Sequence, residues 1–329
     1  MASSHRVVRW HGHLRRGCAV GLAGLVVVAA VVTLPGRADS AGVLRRETAA
    51  LWIGGSAGRA VDPSLFTTGS CVSFQPTSGN RHKIVFLDAG HGGPDPGGVG
   101  ITESGQTIYE ANETLPVELD TTALLRSQGF EVVDSRTRNS AVARIMPGDQ
   151  SDGIFTVQGE HNDVAARDVC ANRARANILV GIYFDVGPSS LNAGSITGYD
   201  TDRPFSSLNL KLATLVQSDV LSELNARGWN IPDAGVVSDV NLGGPPLTQA
   251  AGQYGHLLLL GPPEAGYFTT PSEMPCALIE PLFITDPFEG TIAASVTGQE
   301  AMARGLAQAI EQYFGPPAKT HARKKTATG

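Results

Sequence analysis

A histidine and two carboxylates in the first part of this sequence have the types and spacing of a metal site. His91 lies in the glycine-rich segment DAGHGG, and Asp88 precedes it by three residues. A neutral imidazole is a good zinc ligand, and a nearby carboxylate such as Asp88 can orient the ring. Glu110 begins a segment with helical spacing, where the helix dipole also favours a carboxylate. Each residue alone has an ordinary structural explanation, so only their combination indicates metal chemistry.

A further carboxylate, Glu280, lies within the apolar run CALIEPLF. That run is typical of a buried strand, and a buried carboxylate is uncommon without a partner or a role. Burial would raise the pKa of Glu280, which suits a general base or acid in hydrolysis. The other interpretation places Glu280 on an edge strand that faces water, and Pro281 is compatible with it.

The elements that must position these side chains alternate along residues 81–315. Predicted strands are apolar and rich in β-branched residues, and they cover residues 83–87, 130–133, 178–184, 257–260 and 276–283. Predicted helices show apolar residues at helical spacing, and they cover residues 111–127, 164–177, 208–226 and 298–314. The alternation predicts an α/β domain with a largely parallel twisted sheet flanked by helices. In such sheets, sites gather at the carboxyl ends of the strands.

The two ends of the chain differ from this domain. Residues 1–40 have a basic start, an uncharged apolar run and an exit of small residues, as in an export signal. The run is short for a membrane span but also compatible with an uncleaved anchor. Both interpretations place the remainder outside the cytoplasmic membrane. We interpret residues 41–80 as an N-terminal extension and linker, and residues 316–329 as a basic disordered tail.

Cys18 lies in the predicted export signal, which leaves three cysteines in the rest of the chain. Export makes a disulfide between two of them plausible. Cys276 precedes an apolar run and suits a buried thiol, which leaves Cys71 with Cys170 as the preferred pair. Charged residues make up 17% of the chain, and the net charge is −6. A nucleic-acid partner is not expected, because such binding usually needs a strong basic excess. We expect a monomer.

Six segments in order resemble the zinc-dependent N-acetylmuramoyl-L-alanine amidases of type 3, the amidase_3 family with its zinc-exopeptidase-like fold. IVFLDAGHGGPDPGGVG is similar to that family's opening strand and first metal histidine, here His91. Glu110 matches its metal glutamate, and CALIEPLFITDPFE is similar to the closing strand with the catalytic glutamate, here Glu280. VVDSR, RARAN and the last helix also resemble family segments. The pairing of Cys71 with Cys170 resembles a disulfide of actinobacterial members.

The resemblance implies Zn²⁺ as the cofactor, peptidoglycan or muramoyl peptides as the substrate, and a secreted or cell-wall location. The family's third metal ligand is a histidine, and Tyr183 occupies that position here. Zinc sites of this kind use three protein ligands and leave one position for water. The third ligand is therefore the phenolate of Tyr183, Asp185 on the same face of the strand, or His161 from the loop after the second strand.

The implied activity is hydrolysis of the amide between N-acetylmuramic acid and L-alanine by a metal-activated water. Glu280 would take the proton from that water and pass it to the leaving amine. Arg136 or Arg173 is expected to contact a substrate carboxylate. The alternative, which Tyr183 favours, is a non-catalytic relative that binds peptidoglycan or a cell-wall enzyme. A metal-independent hydrolase of another kind is the least favoured interpretation.

Overall fold

The structure, a computed structural model, describes residues 58–243 and 246–316. The predicted export signal and nearly all of the predicted basic tail lie outside this part of the chain. Within it, no helix combines the length and the apolar character that a membrane crossing needs.

The strands of the described residues are numbered in chain order. They are β1 Arg59–Ala60, β2 Ser70–Phe74, β3 Ile84–Ala89, β4 Val99–Ile101, β5 Thr107–Tyr109, β6 Glu131–Arg136, β7 Gln150–Ser151, β8 Ile154–Phe155, β9 Ile178–Ile182, β10 Ser195–Tyr199, β11 Asp233–Ser238 and β12 Cys276–Glu280. Eight of them form one sheet in the order β1-β2-β6-β3-β9-β12-β10-β11. The short pairs β4-β5 and β7-β8 form two separate ribbons.

The centre of the sheet is parallel, as the sequence predicts. Strands β6, β3, β9 and β12 all run in the same direction. The edges differ, because β2 pairs antiparallel with β6, and β10 pairs antiparallel with β12. The mixed α/β fold with a large central sheet is therefore confirmed, and the parallel order holds for its centre. The carboxyl ends of β3, β9 and β12 consequently meet at one edge.

Helices cover both faces of the sheet. They are α1 Glu110–Ser127, α2 Val157–Ala174, α3 Ser206–Asn225, α4 Gln249–Tyr254, α5 Pro287–Ala294 and α6 Val296–Phe314. Successive residues of β3 enter different cores: Val85 and Leu87 pack with residues of α1, α3 and α6, whereas Phe86 packs with Cys170 and other residues of the opposite face. Since both faces are covered, the central strands are continuously apolar.

Residues 70–74 correct the predicted linker. They form β2, which is buried throughout and lies between β1 and β6. Cys71 of this strand is joined to Cys170 of α2 by a disulfide, so the preferred pair is confirmed. Cys276 is a buried free thiol, also as predicted. The folded domain therefore begins well before residue 81, because β2 completes the sheet and its disulfide binds it to the helix layer.

One predicted strand is wrong. Residues 257–260 form a turn, and Leu259 and Leu260 are buried in the core that also contains Phe86. These residues are apolar because their loop covers a face of the sheet. An apolar run of four residues does not distinguish such a loop from a strand.

Candidate functional site

His91 lies in the loop that follows β3. Its backbone is in the left-handed region, with φ of 62°. Its Nδ1 lies 2.7 Å from Asp95 Oδ2, and its Nε2 lies 3.1 Å from Glu110 Oε1. A Cβ at Gly97 would stand 2.7 Å from the His91 ring, so only glycine permits this close approach of the loop. The loop thus presents one ring nitrogen to Glu110 and fixes the other.

Glu110 is the first residue of α1, and its side chain is buried. The N–H of Phe184 donates to Oε1 at 2.8 Å, and the N–H of Gly98 donates to Oε2 at 2.9 Å. The predicted helix start is confirmed. Both carboxylate oxygens are held by backbone groups, so the carboxylate is fixed in the place where it meets His91.

The surroundings of His91 favour a positive charge. Burial of the ring lowers its pKa, but the charge of Glu110 and the hydrogen bond to Asp95 outweigh burial and raise the pKa to about 10. The negative charges of Glu110 and Asp95 that favour a proton on the imidazole also favour a metal cation, which would replace that proton. The donor set of His91 and Glu110 therefore fits two ligand positions of a zinc site.

The pKa of His91 makes the stability of the metal-free protein depend on pH. A raised folded-state pKa stabilises the fold fully below pH 6.5, and this stabilisation is lost as pH rises through about 10. We expect Asp95→Asn to weaken this dependence, because it removes one of the two carboxylates. Thermal melting of the chelator-treated protein between pH 6 and pH 10 measures it, with exposed Asp152→Asn as the control. Identical pH profiles for Asp95→Asn and the wild type would contradict the assignment.

Arg167 of α2 fixes the backbone of the His91 loop. It is fully buried and pairs with Asp88 and with Asp163. It also donates to the carbonyl of Ala89 at 2.9 Å and to the carbonyl of His91 at 2.9 Å. The prediction that Asp88 orients the His91 ring is therefore wrong: the ring's partner is Asp95, and Asp88 anchors the backbone through Arg167.

Arg136 has a similar structural role, which corrects its predicted contact with substrate. Its guanidinium is fully buried and donates to the carbonyls of Ala89, Gly90 and Ala111 at 2.7–3.0 Å. A side chain in this position ties β6 to the end of β3 and to the start of α1, out of reach of a ligand. Arg173 is exposed near the end of α2 and is not among the residues that line the groove described below.

Tyr183 follows β9 and occupies the space beside the His91 loop. Its ring lies edge-on to the His91 ring, with the centroids 5.2 Å apart, and its hydroxyl donates to Asp88 Oδ2 at 3.1 Å. Burial and then the charge of Asp88 raise the pKa of Tyr183 well above its usual range. The hydroxyl is thus engaged with Asp88, and its surroundings oppose the phenolate that metal binding would require.

Glu280 ends β12, which lies between β9 and β10. The edge-strand interpretation is therefore wrong, because both sides of the strand are paired. Burial and then the charges of Asp185 and Glu110 raise the pKa of Glu280 well above its usual range. The carboxyl groups of Asp185 and Glu280 are hydrogen bonded to each other. The carboxyl ends of β9 and β12 thus bring these two acids together near Glu110 and His91.

A groove of about 860 Å³ runs along this edge and over one face of the sheet. His91, Tyr183 and Glu280 line one part of it, and His161 lines its wall on α2. The His161 ring packs edge-on against Tyr267 with centroids 5.0 Å apart, and neither ring nitrogen has a hydrogen-bond partner among the described residues. The structure therefore places His91, Tyr183 and His161 around one groove, whereas Glu110 and Asp185 are not among its lining residues.

Sequence reasoning missed two residues of this arrangement. Asp95 lies four residues after His91 within the loop, and this spacing within a glycine-rich turn was the available signal. Arg167 lies four residues after Asp163, so both fall on one face of α2 and pair there. The contacts of Arg167 with the β3 loop could not be read from the spacing, because they join elements that are distant in sequence.

Comparison with known proteins supplies the family. Residues 85–312 match the family model described as N-acetylmuramoyl-L-alanine amidase, Amidase_3. The chain is 25% identical over 239 residues to the germination-specific N-acetylmuramoyl-L-alanine amidase of Bacillus subtilis (strain 168), covering 73% of this chain and 81% of that protein. It is also 25% identical over 232 residues to the uncharacterized protein YqiI of the same organism, covering 70% of this chain and 85% of that protein.

The fold also matches a solved structure. The CwlD amidase from Clostridioides difficile, solved in complex with the GerS lipoprotein, superposes with a TM-score of 0.52 at 21% identity. The superposition covers 70% of this chain and 98% of that one. At this level of identity the match shows the fold.

Proposed function

Because the chain belongs to the N-acetylmuramoyl-L-alanine amidase family, we propose that its groove binds a muramoyl peptide and cleaves the amide between N-acetylmuramic acid and L-alanine. The chain is a hydrolase of peptidoglycan, and the family assignment does not favour the non-catalytic alternative. The observation that carries the proposal is the meeting of His91, Glu110 and Glu280 at one sheet edge. A groove of about 860 Å³ lies within the range of ligand clefts.

We infer that His91 and Glu110 supply two of the ligands for Zn²⁺, in keeping with a family that is generally zinc-dependent. Both side chains are fixed before any ion binds, His91 by Asp95 and Glu110 by backbone N–H groups. When bound, zinc would supply Lewis-acid polarisation of the scissile carbonyl and activation of water.

For the third ligand we propose Asp185. Its carboxyl group is hydrogen bonded to Glu280, and the charge of Glu110 raises its pKa, so Asp185 lies near the carboxylate that meets His91. The Tyr183 hydroxyl, by contrast, is held by Asp88. The His161 ring packs against Tyr267, and no contact joins it to His91 or Glu110 among the described residues. A carboxylate is an ordinary zinc ligand, whereas the Tyr183 phenolate would have to form against its surroundings.

Glu280 is the proposed catalytic acid and base. The high pKa of its carboxyl group suits proton transfer near neutral pH, and Asp185 fixes its orientation through their hydrogen bond. Glu280 accepts the proton of the attacking water and returns it to the amine of L-alanine, so the leaving group departs neutral. The loop of His91 and the start of α1 remain rigid meanwhile, because Arg167 and Arg136 hold their carbonyls.

The site of action that we propose is the cell wall, outside the cytoplasmic membrane. A buried disulfide between Cys71 and Cys170 supports an oxidising location. Any contribution of residues 1–40 to anchoring lies outside the described residues.

The third ligand can be identified from zinc content. We expect Asp185→Asn to bind one zinc equivalent fewer than the wild type, because a ligand set reduced to two residues binds far more weakly, whereas Tyr183→Phe and His161→Asn keep the wild-type zinc content. The measurement is elemental analysis of the purified full chain after equilibration with limiting zinc, alongside hydrolysis of a muramoyl peptide. Tyr183→Phe is the matched control, since it removes only the hydroxyl bonded to Asp88.

Zinc lost in Tyr183→Phe or His161→Asn, with Asp185→Asn unaffected, would reassign the ligand to the sensitive residue. A folded wild-type chain that binds the muramoyl peptide without zinc and without cleavage would support the non-catalytic alternative.

A further inference from the structure

Two buried aspartates and a histidine converge at a second place in the molecule. Asp200 follows β10, Asp239 follows β11, and His256 lies just after α4. Strand β10 runs antiparallel to β12, with Gly198 opposite Leu278. The cluster therefore lies near the beginning of β12, about four residues from Glu280, or roughly 13 Å at 3.3 Å per residue.

The three side chains point their polar atoms at one another. His256 Nδ1 lies 2.9 Å from Asp200 Oδ2 and 3.1 Å from Asp239 Oδ2. One ligand atom from each residue lies within 4.8 Å of the other two, the only such group of three among the described residues. Both carboxylates are completely buried, and the His256 side chain is 14% exposed.

One oxygen of this cluster has no hydrogen bond. A ring nitrogen carries either one proton or one lone pair, so His256 Nδ1 cannot serve both carboxylates. Its hydrogen bond goes to Asp239, and the buried Asp200 Oδ2 is left without a donor. The other oxygen of Asp200 accepts the N–H groups of Asp202 and Arg203 at 2.7 and 2.8 Å, which fixes the carboxylate with Oδ2 aimed into the cluster.

We propose that Asp200, Asp239 and His256 bind a divalent transition-metal ion of the Zn²⁺ class. An ion between them would bind the lone pair that Nδ1 has in the tautomer protonated at Nε2, and it would satisfy the orphaned oxygen of Asp200. The observed separations of 2.9 and 3.1 Å are close to the roughly 3.3 Å edge of a tetrahedral zinc site with ligand distances of about 2.0 Å. One nitrogen and two carboxylates suit this class better than Ca²⁺ or Mg²⁺, which prefer oxygen ligands.

The ion would join a wall of the groove to the sheet. Asp200 and Asp239 follow sheet strands, whereas His256 belongs to the loop segment that covers the groove together with Leu257 and Tyr267. His256 and Asp239 line the same cavity as His91 and Glu280. At its distance from Glu280 the ion takes no part in the chemistry, and its role is to fix the shape of the groove.

The test is zinc binding in a background that lacks the first site. In the full chain carrying His91→Ala, we expect one zinc equivalent by elemental analysis and a rise in melting temperature on adding zinc. Asp239→Asn, which keeps the side-chain shape, and His256→Phe, which keeps the ring against Tyr254, should each abolish both effects. Asp202→Asn is the matched control, because Asp202 is 62% exposed and faces the other ring nitrogen at 3.7 Å.

Two results would overturn the proposal. One is no bound zinc and no thermal shift in His91→Ala, and the other is one equivalent retained in both Asp239→Asn and His256→Phe. Circular dichroism establishes that each variant is folded, and the zinc-induced shift in His91→Ala itself does not depend on either substitution. Since amide hydrolysis is not the readout, failure of the proposed function would leave this test intact.

Discussion

Glu280→Gln should lower the rate of amide hydrolysis by about 10²–10⁴-fold, the usual contribution of a positioned general acid or base. The amide has nearly the same shape as the carboxyl group but can neither accept the proton of water nor deliver it to the leaving amine. The hydrogen-bonded contact with Asp185 can persist, so the fold and the zinc content should be unchanged. Initial rates on a soluble muramoyl peptide, with zinc measured in the same preparation, provide the comparison.

The control is Glu273→Gln, which makes the same chemical change at an exposed residue just before β12. It should hydrolyse the substrate at the wild-type rate. If Glu280→Gln retained more than about a tenth of wild-type activity while folded and zinc-loaded, Glu280 would not be the proton carrier that we propose.

The second large effect concerns the disulfide. Cys71 and Cys170 are 99 residues apart in sequence. A cross-link that closes a loop of about 100 residues stabilises a protein by about 4–5 kcal/mol in the chain-entropy account. We therefore expect the double variant Cys71→Ala/Cys170→Ala to lose stability of that order, and β2 to be the element released first, because the bond ties it to α2. Urea unfolding measures the change in free energy.

Cys276→Ala is the matched control, since Cys276 is buried but carries a free thiol. It should cost much less, because only the contacts of one sulfur atom are lost. A double variant that lost less than about 1 kcal/mol would mean that the sheet and core hold β2 in place without the bond.

The strands at the centre of the sheet were predictable because they are buried on both faces. A run such as IVFL has no other common explanation when it is followed by a glycine-rich loop. His91 and Glu280 could be placed together from sequence for a related reason, because the carboxyl ends of parallel strands meet at one edge. Glu110 begins a helix and was added by the family resemblance. The structure brings these three residues together as the pattern predicts.

Other features escaped prediction because they depend on contacts between distant segments. Strand β2 is short and polar at its start, so its pairing with β6 leaves no mark on its own sequence. Arg136 looks like a candidate for substrate binding, and Arg167 carries no signal of its own, until the fold buries both against carbonyl groups. The pair of Asp200 and His256 is separated by more than fifty residues, and only the loop that returns over the sheet brings them together.

Tyr183 illustrates the limit of a position-by-position comparison. Its place in the chain matches a ligand position, yet its hydroxyl is bonded to Asp88. Asp185, two residues later, lies in the cluster with Glu280 and Glu110 instead. Which of two residues on the same face reaches a site is decided by packing, in this case by the space that the Tyr183 ring fills beside Gly90.

Product analysis tests the central claim most directly. The zinc-equilibrated full chain is incubated with a soluble N-acetylmuramoyl peptide, and the products are identified by mass spectrometry. The account predicts free N-acetylmuramic acid together with a peptide that begins with the free amine of L-alanine. An intact substrate that nevertheless binds in the groove, or cleavage at any other bond, would contradict it.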